Sequence, residues 1–277
     1  MTALPFTLIT PTLAVGAPAD GWHGVTHAPL LILVGVTGVG KSTLLAQPTI
    51  IALGLVMLPD RRELTDRLII PAMQLQTGEP IAPVTDRRRR FAYTRAYRER
   101  YPGGMAHALA QLLVPVPPAT TAPTRYLFDG LRGENEVTHA ATLLPAARFV
   151  MLDAPDVLRV RRLLGRGDTF DRASTAPMSS HIGGLHDFAA LGLPEAAGLF
   201  SPDEEHTLLA LTATGDVTPE DLAAKLAIVV EERRNYDPAA TKAALLAHAP
   251  ERSLILDSAA QPPAQLAAQL AAWLQPT

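Results

Sequence analysis

Short apolar runs alternate with stretches of helical pattern through most of the chain. Parallel strands need long crossover connections, usually helices, and their residues are buried on both faces of the sheet. Five apolar strands separated by helices therefore predict an α/β fold, with a parallel sheet covered on both sides and a ligand site at the carboxyl ends of its strands. The predicted strands cover residues 30–34, 53–58, 126–128, 148–152 and 253–257.

Other stretches fit this alternation less well. Residues 1–29 are rich in Thr, Pro, Gly and Ala without a clear period, which predicts an irregular N-terminal extension before a domain spanning 30–277. Pro71, Gly78, Pro80 and Pro83 predict a loop over residues 71–84. We expect a helix over 105–114, and a helical insertion from about 183 to 249.

Composition limits the class of protein. The 277 residues are 48% apolar and 18% charged, as expected of a globular protein with a sizeable core. The net charge of −3 gives no overall field that would attract a polyanion. The absence of cysteine excludes disulfides and thiolate metal sites and fits a cytoplasmic protein. We expect no secretion signal and no membrane span, because Lys41 is the first basic residue and the uncharged run from Ser42 to Pro59 contains two prolines.

A glycine-rich loop follows the first predicted strand and matches the pattern G-x-x-x-x-G-K-[ST] at every fixed position. Glycines let successive backbone N–H groups turn toward phosphate oxygens, and the next helix adds the positive end of its dipole. The ammonium of Lys41 can reach the β- and γ-phosphates, and the hydroxyl of Ser42 can bind Mg²⁺. The motif predicts a nucleoside triphosphate site formed by Gly35, Val36, Thr37, Gly38, Val39, Gly40, Lys41, Ser42 and Thr43.

A second acidic position completes this predicted site. The apolar run Tyr126-Leu-Phe ends in Asp129, the pattern of a Walker B strand. In phosphate-loop folds this strand lies beside the loop strand, so its terminal carboxylate meets the Mg²⁺ held by the loop serine. We therefore expect Ser42 and Asp129 to be the metal ligands.

An arginine cluster lies between the second and third predicted strands. Residues 87–100 carry seven arginines in fourteen positions, with Asp86 as a candidate helix cap. One interpretation is a solvated charged helix whose stems pack on neighbouring elements. The other is an anion-binding helix, since most of this charge has no acidic partner nearby in the sequence. A substrate phosphate is the expected anion.

The residues from 35 to 43 resemble the loop of guanylate kinases and related nucleoside and nucleotide kinases. Residues 149–158 with Arg161, Arg162 and the Gly165-Arg-Gly167 turn are similar to the passage from the fourth strand to the lid of those kinases, and 253–258 to their closing strand. The resemblance implies a P-loop three-layer α/β/α fold, a strand order 2-3-1-4-5, ATP and Mg²⁺ as cofactors, and a lid at about 165–182. The acceptor signatures of guanylate, adenylate and thymidylate kinases are absent.

This resemblance implies an ATP-dependent phosphotransferase acting on a small phosphate-bearing acceptor, such as a nucleotide or nucleoside. Lys41 would act on the transferring phosphate and Asp129 on its Mg²⁺, with Arg166 and Arg172 as lid arginines. Asp60 could accept a proton from an acceptor hydroxyl or orient it. Two alternatives stay open: a nucleic-acid 5′-end kinase, and a regulatory NTPase acting through its helical insertion. The residues expected to hold the acceptor are Arg61, Arg62, Arg87, Arg88 and Arg90.

Overall fold

The computed structural model describes residues 4–118, 123–165, 186–213, 215 and 217–275. Its strands are β1 Thr7–Thr10, β2 Leu13–Val15, β3 Trp22–Gly24, β4 Leu30–Val34, β5 Val56–Met57, β6 Leu112–Pro115, β7 Tyr126–Leu131, β8 Arg148–Asp153 and β9 Ser253–Asp257. The α-helices of the first half are α1 Lys41–Leu45, α2 Pro48–Ile51, α3 Arg61–Leu64, α4 Ile70–Thr77, α5 Arg87–Arg100 and α6 Met105–Ala110. Those of the second half are α7 Glu134–Leu143, α8 Asp156–Leu164, α9 Pro202–Ala213, α10 Pro219–Asn235, α11 Pro238–His248 and α12 Pro263–Trp273.

Five parallel strands form the central sheet in the order β5-β7-β4-β8-β9. Counted along the chain within this sheet, the order is 2-3-1-4-5, which confirms the expected topology. All five residues of β4 are buried, as the middle position of the strand requires. The edge strand β5 is shorter than predicted, because only Val56 and Met57 join the ladder with β7.

Helices cover both faces of this sheet, so the three-layer arrangement is confirmed. Leu31 and Leu33 of β4 join one apolar core with side chains of α1, α2 and α12. Leu30, Ile32 and Val34 point the other way, into a second core shared with α7 and α11. Alternate strand residues thus fill the two layers, as the period of two demands.

The predicted helical insertion contains the expected helices but divides between two cores. Apolar residues of α8, α9 and α10 pack with Phe188, Leu191 and Phe200 into a third core of their own. In contrast, Ala244 and Leu245 of α11 belong to the core that contains α7. Helix α11 is therefore part of the main domain. Within the described ranges, no helix is both long and apolar enough to cross a bilayer.

The N-terminal region is not irregular, contrary to the sequence-based expectation. Strands β1, β2, β3 and β6 form an antiparallel sheet in the order β1-β2-β6-β3. Leu13, Val15 and Val25 are buried in the same core as the parallel sheet, and this burial holds the short strands in place. Since β6 pairs with β2 and β3, the helix predicted over 105–114 ends at Ala110.

A continuous helical segment also replaces the first half of the predicted loop at 71–84. A π-helix over Thr65–Ile69 joins α3 to α4, and the N–H of Ile70 bonds to the carbonyl of Thr65. Pro71 then lies in the first turn of α4, where a missing N–H costs little. The segment ends at Gly78, whose φ of 73° favours glycine.

Candidate active site

The glycine-rich loop lies between the end of β4 and the start of α1, at the carboxyl edge of the sheet. Gly35, Gly38 and Gly40 all have positive φ, which turns the loop backbone in a way that other residues rarely allow. A Cβ on Gly38 would lie 3.1 Å from the Cα and carbonyl oxygen of Arg159, so glycine also allows α8 to approach closely. Val36 and Val39 are buried and anchor the loop to the core below it.

Lys41 begins α1 and folds back under the loop. Its ammonium donates to the carbonyls of Gly35 at 2.7 Å and Val36 at 3.1 Å, and lies 3.7 Å from Oδ1 of Asp129. Burial lowers the pKa of Lys41 from its ordinary value, although the charge of Asp129 opposes this change. The loop thus contains a partly desolvated cation that phosphate oxygens could neutralise.

Asp129 lies in β7, the strand next to β4, and the two predicted magnesium ligands flank Lys41. Oδ1 of Asp129 is buried and has no hydrogen-bond partner among the described residues. A buried carboxylate oxygen that accepts no hydrogen bond is suited to bind a cation. Ser42 follows Lys41 directly and is exposed at the start of α1. One hydroxyl and one carboxylate fit Mg²⁺, which keeps several waters and phosphate oxygens as its other ligands.

A glutamate that sequence reasoning did not single out binds directly to the loop. Glu232 of α10 accepts from the backbone N–H of Thr37 at 3.0 and 3.2 Å and from its hydroxyl at 2.6 Å. Its carboxylate also accepts from Arg132 at 2.9 Å and from Arg159. One carboxylate is thus shared by a phosphate-loop amide and two arginines.

Arg159 connects this carboxylate to helix α8. The guanidinium is fully buried, and it donates from Nε to the carbonyl of Thr37 at 2.8 Å and from NH1 to Asp156 at 2.6 Å. Asp156 in turn accepts from Arg233 of α10 at 2.6 Å. Every buried charge in this network therefore has an opposite partner, as burial requires.

A separate arginine fixes the other side of the loop. Arg162 donates to the hydroxyl of Ser258 at 2.9 Å and its carbonyl at 2.6 Å, and NH1 lies 3.3 Å from the carbonyl of Gly38. A cavity of about 270 Å³ opens beside it. Its lining includes Gly40, Thr43, Arg162, Ser258 and Pro263.

Two of the predicted acceptor arginines make internal pairs. Arg61 donates to both carboxylate oxygens of Glu136, at 2.7 and 2.8 Å, and to the carbonyl of Gly130. Arg90 bonds to Asp66 and to the carbonyl of Val84. Both guanidinium groups are therefore already committed, and they hold α3 to β7 and α5 to the π-helix.

The predicted Asp60 caps a helix. Its Oδ1 accepts from the backbone N–H of Glu63 at 2.8 Å, which satisfies the N-terminus of α3. Asp60 is exposed and follows the edge strand β5. Two strand spacings separate β5 from β4, or about 10 Å across the sheet. Its carboxylate lines a cavity of about 300 Å³ together with Thr10, Thr12 and Glu63.

The remaining predicted residues lie away from the loop or outside the described ranges. Arg62 is exposed and lines a cavity of about 540 Å³ that also contacts Arg67 and Arg90. Arg87 and Arg88 are exposed on the first turn of α5. The two lid arginines, Arg166 and Arg172, lie outside the described residues, as does most of the lid predicted at about 165–182.

No family model matches the chain, and no curated protein matches it. Among solved structures, a sugar kinase from Janibacter sp. HTCC2649 is 18% identical, with 89% of this chain and 94% of that chain covered at a TM-score of 0.36. A protein from Thermus thermophilus is 17% identical, with 90% and 100% covered at 0.39. A sulfotransferase from Alicyclobacillus acidocaldarius is 12% identical, with 89% and 80% covered at 0.38. These likenesses are too distant to carry an activity to this chain, so the fold assignment rests on the strand order and the loop.

Proposed function

We propose that this protein is an ATP-dependent phosphotransferase that moves the γ-phosphoryl group to a small phosphate-bearing acceptor. The observation that carries the proposal is the juxtaposition of Lys41 with Asp129. A lysine ammonium under a complete phosphate loop lies 3.7 Å from a buried carboxylate oxygen that has no hydrogen-bond partner among the described residues. Phosphoryl transfer in phosphate-loop enzymes uses both a lysine on the phosphates and a carboxylate that holds Mg²⁺.

Bound ATP and Mg²⁺ would supply the phosphoryl group and neutralise part of its charge. The acceptor oxygen forms a bond to the γ-phosphorus while the bond to the β–γ bridging oxygen breaks, and ADP leaves. The chain's contribution is positioning and charge. Ser42 and Asp129 would hold the metal, and Lys41, Arg132 and Arg159 offer cations beside the loop. The cavity at Arg162 and Ser258 is the space in which we expect the nucleobase to lie.

The acceptor side of the proposal rests on residues farther from the loop. The 540 Å³ cavity has enough room for a nucleotide or a nucleoside, and the exposed guanidinium groups of Arg62 and Arg67 in its lining suit a phosphate. Arg90 also lines it but is paired with Asp66. Arg61, Arg87 and Arg88 would adjust the charge around it, and Asp60 would orient an acceptor hydroxyl. Arg166 and Arg172 would close over the transferring group.

Replacing Lys41 tests the proposal directly. We expect Lys41→Ala to lower ATP turnover by at least about 100-fold, since one preorganised charge contact at the transferring group is commonly worth that much. Exposed Lys242 of α11 offers a matched control, and Lys242→Ala is expected to keep full turnover. Circular dichroism checks that both variants stay folded. Undiminished turnover in Lys41→Ala would overturn the proposed function.

A second candidate, a nucleic-acid 5′-end kinase, is favoured by the exposed face of α5. Phe91 is 57% exposed, and arginines surround it on the same side of the helix. Exposed bases stack on aromatic side chains while arginines contact the backbone phosphates. Turnover that oligonucleotides stimulate and that falls steeply with salt would favour this candidate over a small acceptor. The arginines concerned are Arg87, Arg88, Arg95 and Arg98.

A further inference from the structure

The carboxylate of Glu232 occupies an anion-binding position of the phosphate loop. It accepts from the backbone N–H of Thr37, a residue inside the G-x-x-x-x-G-K-[ST] motif, and from two arginines. Backbone N–H groups of such loops serve to cradle phosphate oxygens. A carboxylate and a phosphate offer the same acceptor oxygens to this set of donors.

The charges around Lys41 explain why the Glu232 carboxylate and a bound triphosphate would not occupy the loop together. Lys41, Arg132 and Arg159 are the cations whose charges act on this site, and Asp129 and Glu232 are its anions. A triphosphate bound at Lys41 adds several negative charges next to Glu232. Like charges in a poorly solvated site repel strongly, so one anion must leave or take up a proton.

The two arginines that bind Glu232 would not be left as isolated buried charges if its carboxylate moved away. Arg159 keeps Asp156 and the carbonyl of Thr37, so its buried charge does not become isolated. The side chain of Arg132 is about one third exposed, and its guanidinium pairs with no carboxylate other than Glu232 among the described residues, which leaves it available to another anion. Glu232 lies three residues from the end of α10, in the helix that packs against the insertion core.

We propose that Glu232 is an exchangeable internal ligand, which holds the position of the terminal phosphate and is displaced when a nucleoside triphosphate binds. The proposal rests on the proposed function, because it requires triphosphate binding at the loop. A diphosphate lacks the terminal group and leaves Glu232 in place. Occupancy of the loop by a triphosphate is thereby transmitted to α10 and the helices packed on it.

The test compares Glu232→Gln with a matched control, Glu231→Gln, which changes the same charge at an exposed neighbouring position. Dissociation constants of Mg²⁺–ATP and Mg²⁺–ADP are measured by calorimetry. We expect Glu232→Gln to bind ATP about tenfold more tightly or better and ADP within about twofold of the unaltered protein, with Glu231→Gln unchanged for both. Equal effects on ATP and ADP, or weaker ATP binding, would overturn the proposal.

Hydrogen exchange in the unaltered protein gives a second test that needs no variant. A non-hydrolysable triphosphate analogue should speed amide exchange in the last two turns of α10, whereas ADP should not. Unchanged or slower exchange with the analogue contradicts displacement of Glu232. If the unaltered protein binds neither nucleotide, the loop is not a nucleotide site and the proposed function fails with this inference. Binding of both nucleotides with equal exchange rejects only the exchange of Glu232.

Discussion

At the scale of single residues, Lys41 is the partly buried cation of the glycine-rich loop. Two loop carbonyls and Asp129 surround it, and burial still lowers its pKa. A phosphate favours the charged form of lysine and would raise that pKa again. Binding of a triphosphate is therefore coupled to uptake of a proton at alkaline pH.

This coupling predicts the pH dependence of ATP binding. As pH rises through the lowered pKa of Lys41, the ammonium loses its proton and ATP affinity should fall, at a lower pH than an ordinary lysine would require. Calorimetry in buffers of different ionisation enthalpy measures the proton uptake. Lys41→Arg stays charged throughout and should remove the pH dependence. A fall that persists in Lys41→Arg would assign the titration to another group.

The same shift has a defined sign for stability. The unfolded chain binds the proton of Lys41 more tightly than the folded chain does, so the free energy of unfolding contributed by this residue rises as pH increases between the two pKa values. Alkaline pH should thus weaken nucleotide binding through Lys41 without destabilising the fold through it.

Asp129 supports a second residue-scale prediction. Oδ1 of Asp129 accepts no hydrogen bond from a described residue and can bind a cation, so Asp129→Asn should raise the Mg²⁺ concentration for half-maximal turnover by at least about tenfold. Asn is similar in size, and the variant should melt within a few degrees of the unaltered protein. An unchanged Mg²⁺ requirement would remove Asp129 from the metal site.

At the scale of elements, the arginines of helix α5 fall into two groups, those in ion pairs with neighbouring elements and those without. Arg89 pairs with Glu79 and Arg90 with Asp66, so these two hold the helix to its neighbours. The other five arginines have no ion pair with a described residue, and four of them share the face that carries Phe91, namely Arg87, Arg88, Arg95 and Arg98. The solvated-helix interpretation accounts for the first pair, while the exposed face keeps the anion-binding interpretation open.

Two matched double variants separate the interpretations of α5. If a small acceptor phosphate binds near the start of the helix, Arg87→Gln with Arg88→Gln should raise the acceptor KM several-fold more than the ATP KM. Arg95→Gln with Arg98→Gln removes the same charge near the other end and should have little effect. Similar effects of both double variants indicate a polyanion along the face, and no effect of either indicates a solvated helix.

Local sequence signals predicted the elements whose pattern is complete within a few residues. The apolar runs gave all five parallel strands, and caps, glycines and prolines gave most helices. The prediction of a loop directly after Pro71 was wrong, because a π-helix upstream places the proline in the first turn of α4. Strands β1 to β3 were missed because three or four residues are too few to show a period of two, and their partner β6 is about 90 residues away in the chain.

The candidate site likewise contains residues that local motifs predicted and residues that no local motif could predict. The loop from Gly35 to Ser42 and the apolar run that leads to Asp129 are local motifs, and the structure places Lys41 3.7 Å from Asp129. Glu232 contacts Thr37 across 195 residues and Arg159 contacts it across 122, and no short motif marks either partner. Arg132 did carry a signal, since it follows Asp129 by three residues and comes directly after strand β7.

At the scale of the whole molecule, the N-terminal sheet and the parallel sheet share one core. Leu13, Val15 and Val25 lie in the same buried cluster as Leu30 and Ile32 of β4. The helices α8, α9 and α10 build a separate core, and they contact the loop through Leu158, through the backbone of Arg159 and through the carboxylate of Glu232. Residues 4–29 are therefore a structural part of the body that carries the glycine-rich loop.

Two leucines in neighbouring strands test this integration. Leu13 is 3% exposed within the shared core, whereas Leu8 is 52% exposed on β1. We expect Leu13→Ala to lower the free energy of unfolding by about 2–5 kcal/mol, the cost of a large-to-small change in a packed core. Leu8→Ala should change it by no more than about 0.5 kcal/mol. Urea unfolding followed by circular dichroism measures both values.

A core shared between the sheets requires the Leu13 variant to unfold in a single transition at lower urea, with the parallel sheet lost at the same point. If Leu13→Ala costs as little as Leu8→Ala, residues 4–29 are an extension resting on an independent domain.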